Sequence, residues 1–228
     1  NFQYGNLEGS YEIDTLRLLT VAFGMYGSNS KNYGDGFTTM YGADHEDIAY
    51  SYRTGNHGDG SWYSINGNID YQRTSRKNKQ RMITFSYKIN TQPQTSNSNT
   101  GYEDIHAKEE VDDLVKRLLL KNSQSDGKTN TMEQTFQVDY TTPIGELHTV
   151  EAGAKYIFRR NTSDNKLYEA AGGSDDYLYN EDRSSDYRHL NHILAAYLGY
   201  TLKYKDFTFK PGVRYEQTVQ RVKYIVGP

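Results

Sequence analysis

Cysteine is absent from the 228 residues. Its absence removes disulfides, thiolate metal sites and thiol nucleophiles from consideration. Proline is scarce, at 4 residues, and no run of about eighteen apolar residues offers a membrane-spanning helix. Positive charge is not in excess either. The formal net charge of -3 argues against a nucleic-acid partner, because such proteins present basic surface to phosphate. No signal peptide opens the chain at Asn1, an absence that a processed, exported protein shares. Apolar content is low as well: 35% of residues are hydrophobic and the mean hydropathy is -0.89. A soluble chain this polar would struggle to build one compact core.

What the sequence has instead is tyrosine, 22 residues of it, and 20 glycines. Tyrosine suits strands, and it suits the boundary of a bilayer, where an apolar ring and a wet hydroxyl are both wanted. The stretch that organises the chain runs from Gln134 to Arg160. Phe136, Val138 and Tyr140 alternate with Thr135, Gln137 and Asp139; Thr142, Pro143 and Gly145 mark a turn; Val150, Ala152, Ala154, Tyr156 and Phe158 then alternate with Glu151, Gly153, Lys155 and Arg159. Side chains of a strand point alternately to opposite faces, so this unit has one apolar face and one wet face. About ten alternating residues are what a tilted strand needs to cross a bilayer.

The unit repeats. Strands are expected over 2–13, 16–26, 62–73, 81–90, 132–142, 146–160, 187–204 and 207–224, with long polar loops over 27–60, 91–131 and 161–186. Connections therefore alternate between short and long. That is the pattern of an all-β, antiparallel, up-and-down transmembrane barrel segment of about eight strands, with short turns on one rim and long loops on the other. Inside the second long connection, Ile105, Val111, Leu114, Val115, Leu118 and Leu119 approximate helical spacing, with acids before them and Lys116, Arg117 and Lys121 after. This predicts a short helix capping a loop.

The wording of two hairpins is familiar. Gln137, Asp139, Tyr140, Pro143, Glu151, Gly153, Ala154, Lys155 and Tyr156, with Gly212, Arg214, Tyr215 and Glu216, resemble the C-terminal barrel region of TonB-dependent outer-membrane receptors of the Bacteroidota type. The resemblance implies an outer-membrane location and energised nutrient uptake by a barrel of about twenty-two strands around a plug domain. It makes this chain an internal piece that supplies wall and surface loops. It also implies the partners: outer-membrane lipid, the rest of the barrel and plug, and periplasmic TonB reached through a segment outside this piece.

Candidate sites follow from the two faces. Glu151, Lys155, Arg159, Lys203, Arg214 and Glu216 project from the wet face, either to contact the plug or a ligand or to pair with one another across strands. Tyr33, Tyr41, Tyr50, Tyr168 and Tyr177 stand in the long loops, with Phe37, Tyr52 and Tyr179 nearby, either to stack on a ligand or to pin loops together. Asp44, His45, Glu46 and Asp47, with His57 and Asp59 further on, have no regular ligand spacing and read as a solvated loop, not a metal site. No nucleophile elbow, paired-His helix or phosphate loop is encoded, so no enzyme activity and no cofactor are expected. Two other readings compete: a secreted or surface β-protein that binds glycan through its tyrosine-rich loops, and a complete small eight-stranded barrel adhesin.

Overall fold

The computed structural model describes residues 1–43, 46–116 and 120–226. They form one antiparallel sheet of ten strands. Its eight main strands are β1 (Phe2–Asp14), β2 (Arg17–Tyr41), β3 (Ile48–Thr74), β4 (Met82–Ala107), β5 (Lys121–Ile144), β6 (His148–Ala171), β8 (Ser185–Tyr204) and β10 (Gly212–Val226). Each pairs with its sequence neighbours in turn, and two short strands hang on this path: β7 (Leu178–Tyr179) on β6 and β9 (Phe207–Phe209) on β8. Up-and-down order follows from the tight links at 14–17, 74–82, 144–148 and 204–207, which all lie on one rim. Gly145 sits in one of them at φ +69°, a conformation that favours glycine. The remaining links, 41–48, 107–121 and 171–185, all leave from the other rim; 41–48 is no longer than the 74–82 turn, and the other two are the long ones.

Register shows what the pattern of apolar residues is for. Residues directly opposite in an antiparallel pair share a face. One row across the sheet reads Tyr11, Leu19, Tyr71, Phe85, Val138, Ala154, Ala196, Tyr215. The adjacent row reads Gly9, Val21, Ile69, Tyr87, Phe136, Tyr156, Leu194, Gln217. This apolar band is open to the surroundings: Leu198 is 52% exposed and Phe136 48%. The opposite face is crowded with small polar residues. Ser64, Thr135, Ser163, Asn191 and Thr201 are buried there, Thr135 and Asn191 at only 7% exposure. Large apolar residues outside and small polar ones packed inside invert the arrangement of a soluble protein. The final hairpin's leucines are not in a core, which removes the secreted soluble-domain reading.

Four expectations need correction. Most of 27–60, 91–131 and 161–186 is strand, not loop: β3 alone is 27 residues long, against the roughly 9–11 that a bilayer requires. These extensions hold because Ser, Asn, Thr and Gly pair their main chains as well as apolar residues do, as in the unbroken register from Asn29↔Ser61 to Met40↔Tyr50. The helix is a single turn, α1 (Asp112–Leu114), and Ile105 belongs to β4; Arg117, Leu118 and Leu119 lie outside the described residues. The last expected strand also breaks in two between β9 and β10, at Lys210 and Pro211, where proline has no amide to give and Tyr200 N donates to its carbonyl. Among the described residues no ladder joins β10 back to β1, so the sheet is open and is not a closed eight-stranded barrel.

The band makes a prediction. Leu198→Arg places a guanidinium among exposed apolar residues and is expected to cost about 2–4 kcal/mol of folding free energy in lipid vesicles. Lys155→Leu, on the other face, is expected to change it by less than about 1 kcal/mol. Denaturant titration in vesicles measures both, and equal effects would contradict the assignment of faces.

Candidate functional site

The six wet-face residues do share one face, by the register of β6 with β8 and of β8 with β10. They form no single cluster. Arg159 lies opposite Glu133 of β5 and donates from Nε to its carboxylate at 2.8 Å. Arg214 pairs along its own strand with Glu216 at 2.7 Å. Lys155 faces Gln137 on one side and Ala195 on the other, and Ala195 in turn faces Glu216. Glu151 stands between Thr141 and Gly199. Lys203 is remote, opposite Thr208 at the short-turn rim. Both ion pairs are partly exposed, so each adds roughly 0–1 kcal/mol.

A tighter arrangement lies between them. Gly153 of β6 sits between Asp139 of β5 and Tyr197 of β8. The Tyr197 ring lies over the glycine, and its hydroxyl donates to Asp139 Oδ1 at 2.7 Å. Gln137 Nε2 donates to the other carboxylate oxygen at 2.7 Å. A Cβ at position 153 would overlap both the tyrosine ring and the carboxylate. One side chain thus stitches three strands. Sequence reasoning passed over Tyr197 and Asp139 because their contact depends on register, although Gly153 marks where a close approach is possible.

Toward the long-link rim, buried polar atoms remain unpaired: among the described residues Asn161 Oδ1, His189 Nε2 and Asn191 Oδ1 have no hydrogen-bond partner. Asn161 lies directly opposite His189, and Asn191 opposite Arg159. All are on the wet face beside the Arg159–Glu133 pair.

The predicted tyrosines separate. Tyr33 packs on His57 with ring centroids 4.6 Å apart, and both line a polar cleft of about 630 Å³ with Tyr102, Asp175 and Tyr177. Tyr50 stacks with Tyr52, and Tyr168 packs on Tyr179 at 5.5 Å. Tyr41 ends β2 opposite Ile48, where it is exposed. So Tyr33 and Tyr177 line one cleft, while Tyr50 packs along its own strand and Tyr168 holds β7 against β6. Asp44 and His45 lie outside the described residues. His57 and Asp59 belong to β3, where Asp59 accepts from Asn97 at 3.2 Å.

The long links cap this rim. Val115 and Leu120 of the 107–121 link and Ala170 at the end of β6 are buried here, and Gly172 N donates to Lys116 O at 2.9 Å. Glu169, beyond the apolar band, accepts from Asn180 at 2.6 Å, lies 3.7 Å from Lys121 and is paired with Arg183. The Asn180 hydrogen bond, helped by the two cations and opposed by burial, holds the Glu169 carboxyl below its ordinary value of 4.5.

Residues 74–225 match the Outer membrane protein beta-barrel family. The chain belongs to that family. Its location is the outer membrane, and the apolar band is the face that meets lipid. In such barrels the short turns face the periplasm and the long links the cell exterior. Among solved structures, the ferric citrate transporter FecA in its unliganded form is similar at 13% identity and a TM-score of 0.32, with 96% of this chain and 38% of that one covered. This chain thus spans well under half of the transporter's length. A lipopolysaccharide binding protein aligns at 6% identity and a TM-score of 0.12 over 97% of this chain and 77% of that one. No curated protein matches the chain.

Two measurements test the site. Tyr197→Phe removes a hydrogen bond to a charged acceptor and is expected to cost about 1.5–3 kcal/mol; Gly153→Val adds overlap and is expected to cost more in the same titration. For the cap the sign is set by a lowered carboxyl pKa. Its contribution is complete above 4.5, the ordinary value, and is lost as pH falls through the lower folded value. Hydrogen exchange of segment 178–183 is expected to be unchanged from pH 7 to pH 5 after correction for intrinsic rates, and to speed up in more acidic solution. Glu169→Gln should abolish that acid dependence.

Proposed function

We propose that this chain forms part of the barrel wall of a TonB-dependent outer-membrane receptor of the Bacteroidota type, which takes up nutrients. The observation that carries the reading is the wet face. It is polar and charged, and at Asn161, His189 and Asn191 it buries polar atoms that the described residues of the wall do not satisfy. Buried polar groups find partners, and a plug domain inside the barrel supplies them in such a receptor. The resemblance of the Gln137–Tyr156 and Gly212–Glu216 phrases supports the same assignment.

Two further features agree with it. Among the described residues both outer strands of the sheet, β1 and β10, are paired on one side only, and in hydrocarbon their free main-chain groups must be met by additional strands. Strands of 24–27 residues, from β2 to β6, rise well past the bilayer and carry the Tyr33–Tyr177 cleft to the outer rim. In this reading Glu151, Lys155, Arg159, Arg214 and Glu216 contact plug or passing ligand, the cleft tyrosines contact ligand outside, and TonB acts through a part of the receptor other than this wall. The proposal assigns the chain no catalysis and no cofactor.

A photo-crosslinking side chain at Asn191, in outer membranes, tests it. The expected product joins Asn191 to a globular plug segment. A barrel that yields no such product and conducts ions as an open pore in a planar bilayer would overturn the receptor assignment.

A further inference from the structure

We propose that the short-turn rim carries a binding site for the phosphate headgroup of an anionic membrane phospholipid, built from Arg17, Arg73, Arg76 and Arg81. The inference rests on the outer-membrane location and not on the receptor reading.

Arg17 opens β2 and Arg73 lies at the end of β3, directly opposite it. Two steps along, Leu19 faces Tyr71, so both arginines belong to the lipid-facing side, at the edge of the apolar band. Like charges directly opposite one another destabilise a sheet. Arg76 and Arg81 come from the turn that joins β3 to β4. That turn is ordered by its own bonds: Ser75 N donates to Arg81 O at 2.9 Å, Arg81 N to Asn78 O at 3.0 Å, and Gln80 N to Asn78 Oδ1 at 2.9 Å. Arg81 is also fixed from β5, donating from Nε to Thr142 Oγ1 at 3.0 Å.

The four arginines line one cleft of about 700 Å³. Asp14 is the carboxylate in its lining, and its oxygens are taken by Leu16 N at 2.9 Å and Arg17 Nε at 2.7 Å. Among the described residues Arg73, Arg76 and Arg81 make no ion pair. The cleft therefore keeps a surplus of three positive charges, each on a planar fork suited to phosphate oxygens.

The remaining lining says which phosphate. Ile83 and Tyr140 form the wall toward the membrane. They are opposite one another and continue through Ala152 to Leu198 in the apolar band. An anion seated on the arginines has hydrocarbon-facing side chains immediately beside it. A free phosphate has no use for that wall, whereas the acyl chains of a phospholipid lie along it. A single arginine at this height would be explained by its stem reaching through the band to water; convergence of four on one cleft is not.

The test is lipid selection by the protein in nanodiscs of equimolar phosphatidylcholine and phosphatidylglycerol at low salt, read by native mass spectrometry. Wild type is expected to retain phosphatidylglycerol over phosphatidylcholine by about ten-fold or more, and added salt should reduce the preference. Arg76→Gln, in the turn where no strand pairing depends on it, should lower it about five-fold. The triple variant Arg73→Gln, Arg76→Gln, Arg81→Gln should bring it near parity. Equal retention of both lipids by wild type, a preference that Arg76→Gln leaves unchanged, or displacement of the lipid by millimolar inorganic phosphate would each overturn the proposal. A chain that does not enter the discs overturns it through its membrane premise, a result distinct from insertion without headgroup preference.

Discussion

Inside a bilayer there is no water to take up a spare amide or carbonyl, so every main-chain polar group that enters must be bonded to a neighbouring strand. That constraint governs the whole structure. It forces the strands into continuous ladders, each paired with the next in sequence. It leaves the side chains as the sole means of distinguishing lipid from lumen. The sheet makes that distinction by alternation: aromatic and branched residues on the lipid side, and mainly serine, threonine, asparagine and scattered charges on the other, where Ile157 opposite Ile193 is an exception. Low overall hydropathy is thus a consequence of the architecture, because only one residue in two, over only part of each strand, has to be apolar.

The same ladders explain why the strands do not stop at the membrane. Once a hairpin is in register, extending it needs main-chain pairing and no apolar side chain, and polar residues such as Ser96, Asn97 and Ser98 continue β4 against β5 with no break. Beyond the band the cohesion changes character. There it comes from packed rings such as Tyr33 with His57, from the carboxylate of Glu169 bridging strand and link, and from a few buried apolar residues beneath the cap.

The band and the order of the strands were legible in the sequence. Where one face meets lipid the alternation is amphipathic, as in Phe136, Val138 and Tyr140 against Gln137 and Asp139, and hydrophobic period alone finds the strand. Where both faces are wet, as from Asn29 to Thr39, that period vanishes, and a paired strand looks like a glycine-rich loop. The six wet-face charges were placed on the correct face for the same reason that the strands were found. Their partners were not legible: Arg159 to Glu133 and Tyr197 to Asp139 are contacts across strands, 26 and 58 residues apart in sequence. Alternation fixes which way a side chain points, and only register fixes what it meets.

The tyrosine laid across Gly153 has a bearing on assembly. Because side chains alternate, sliding β8 by one residue along β6 would turn its leucines toward the lumen and Asn191 and Thr201 toward lipid. Tyr197 reaches Asp139 only by crossing the gap that the missing side chain of residue 153 leaves, and a shift by one residue sets it over Ala152 or Ala154 instead. The glycine works as a keyhole. It admits the ring at one alignment of three strands, so a mis-threaded hairpin is disfavoured before its faces have been sorted by the membrane.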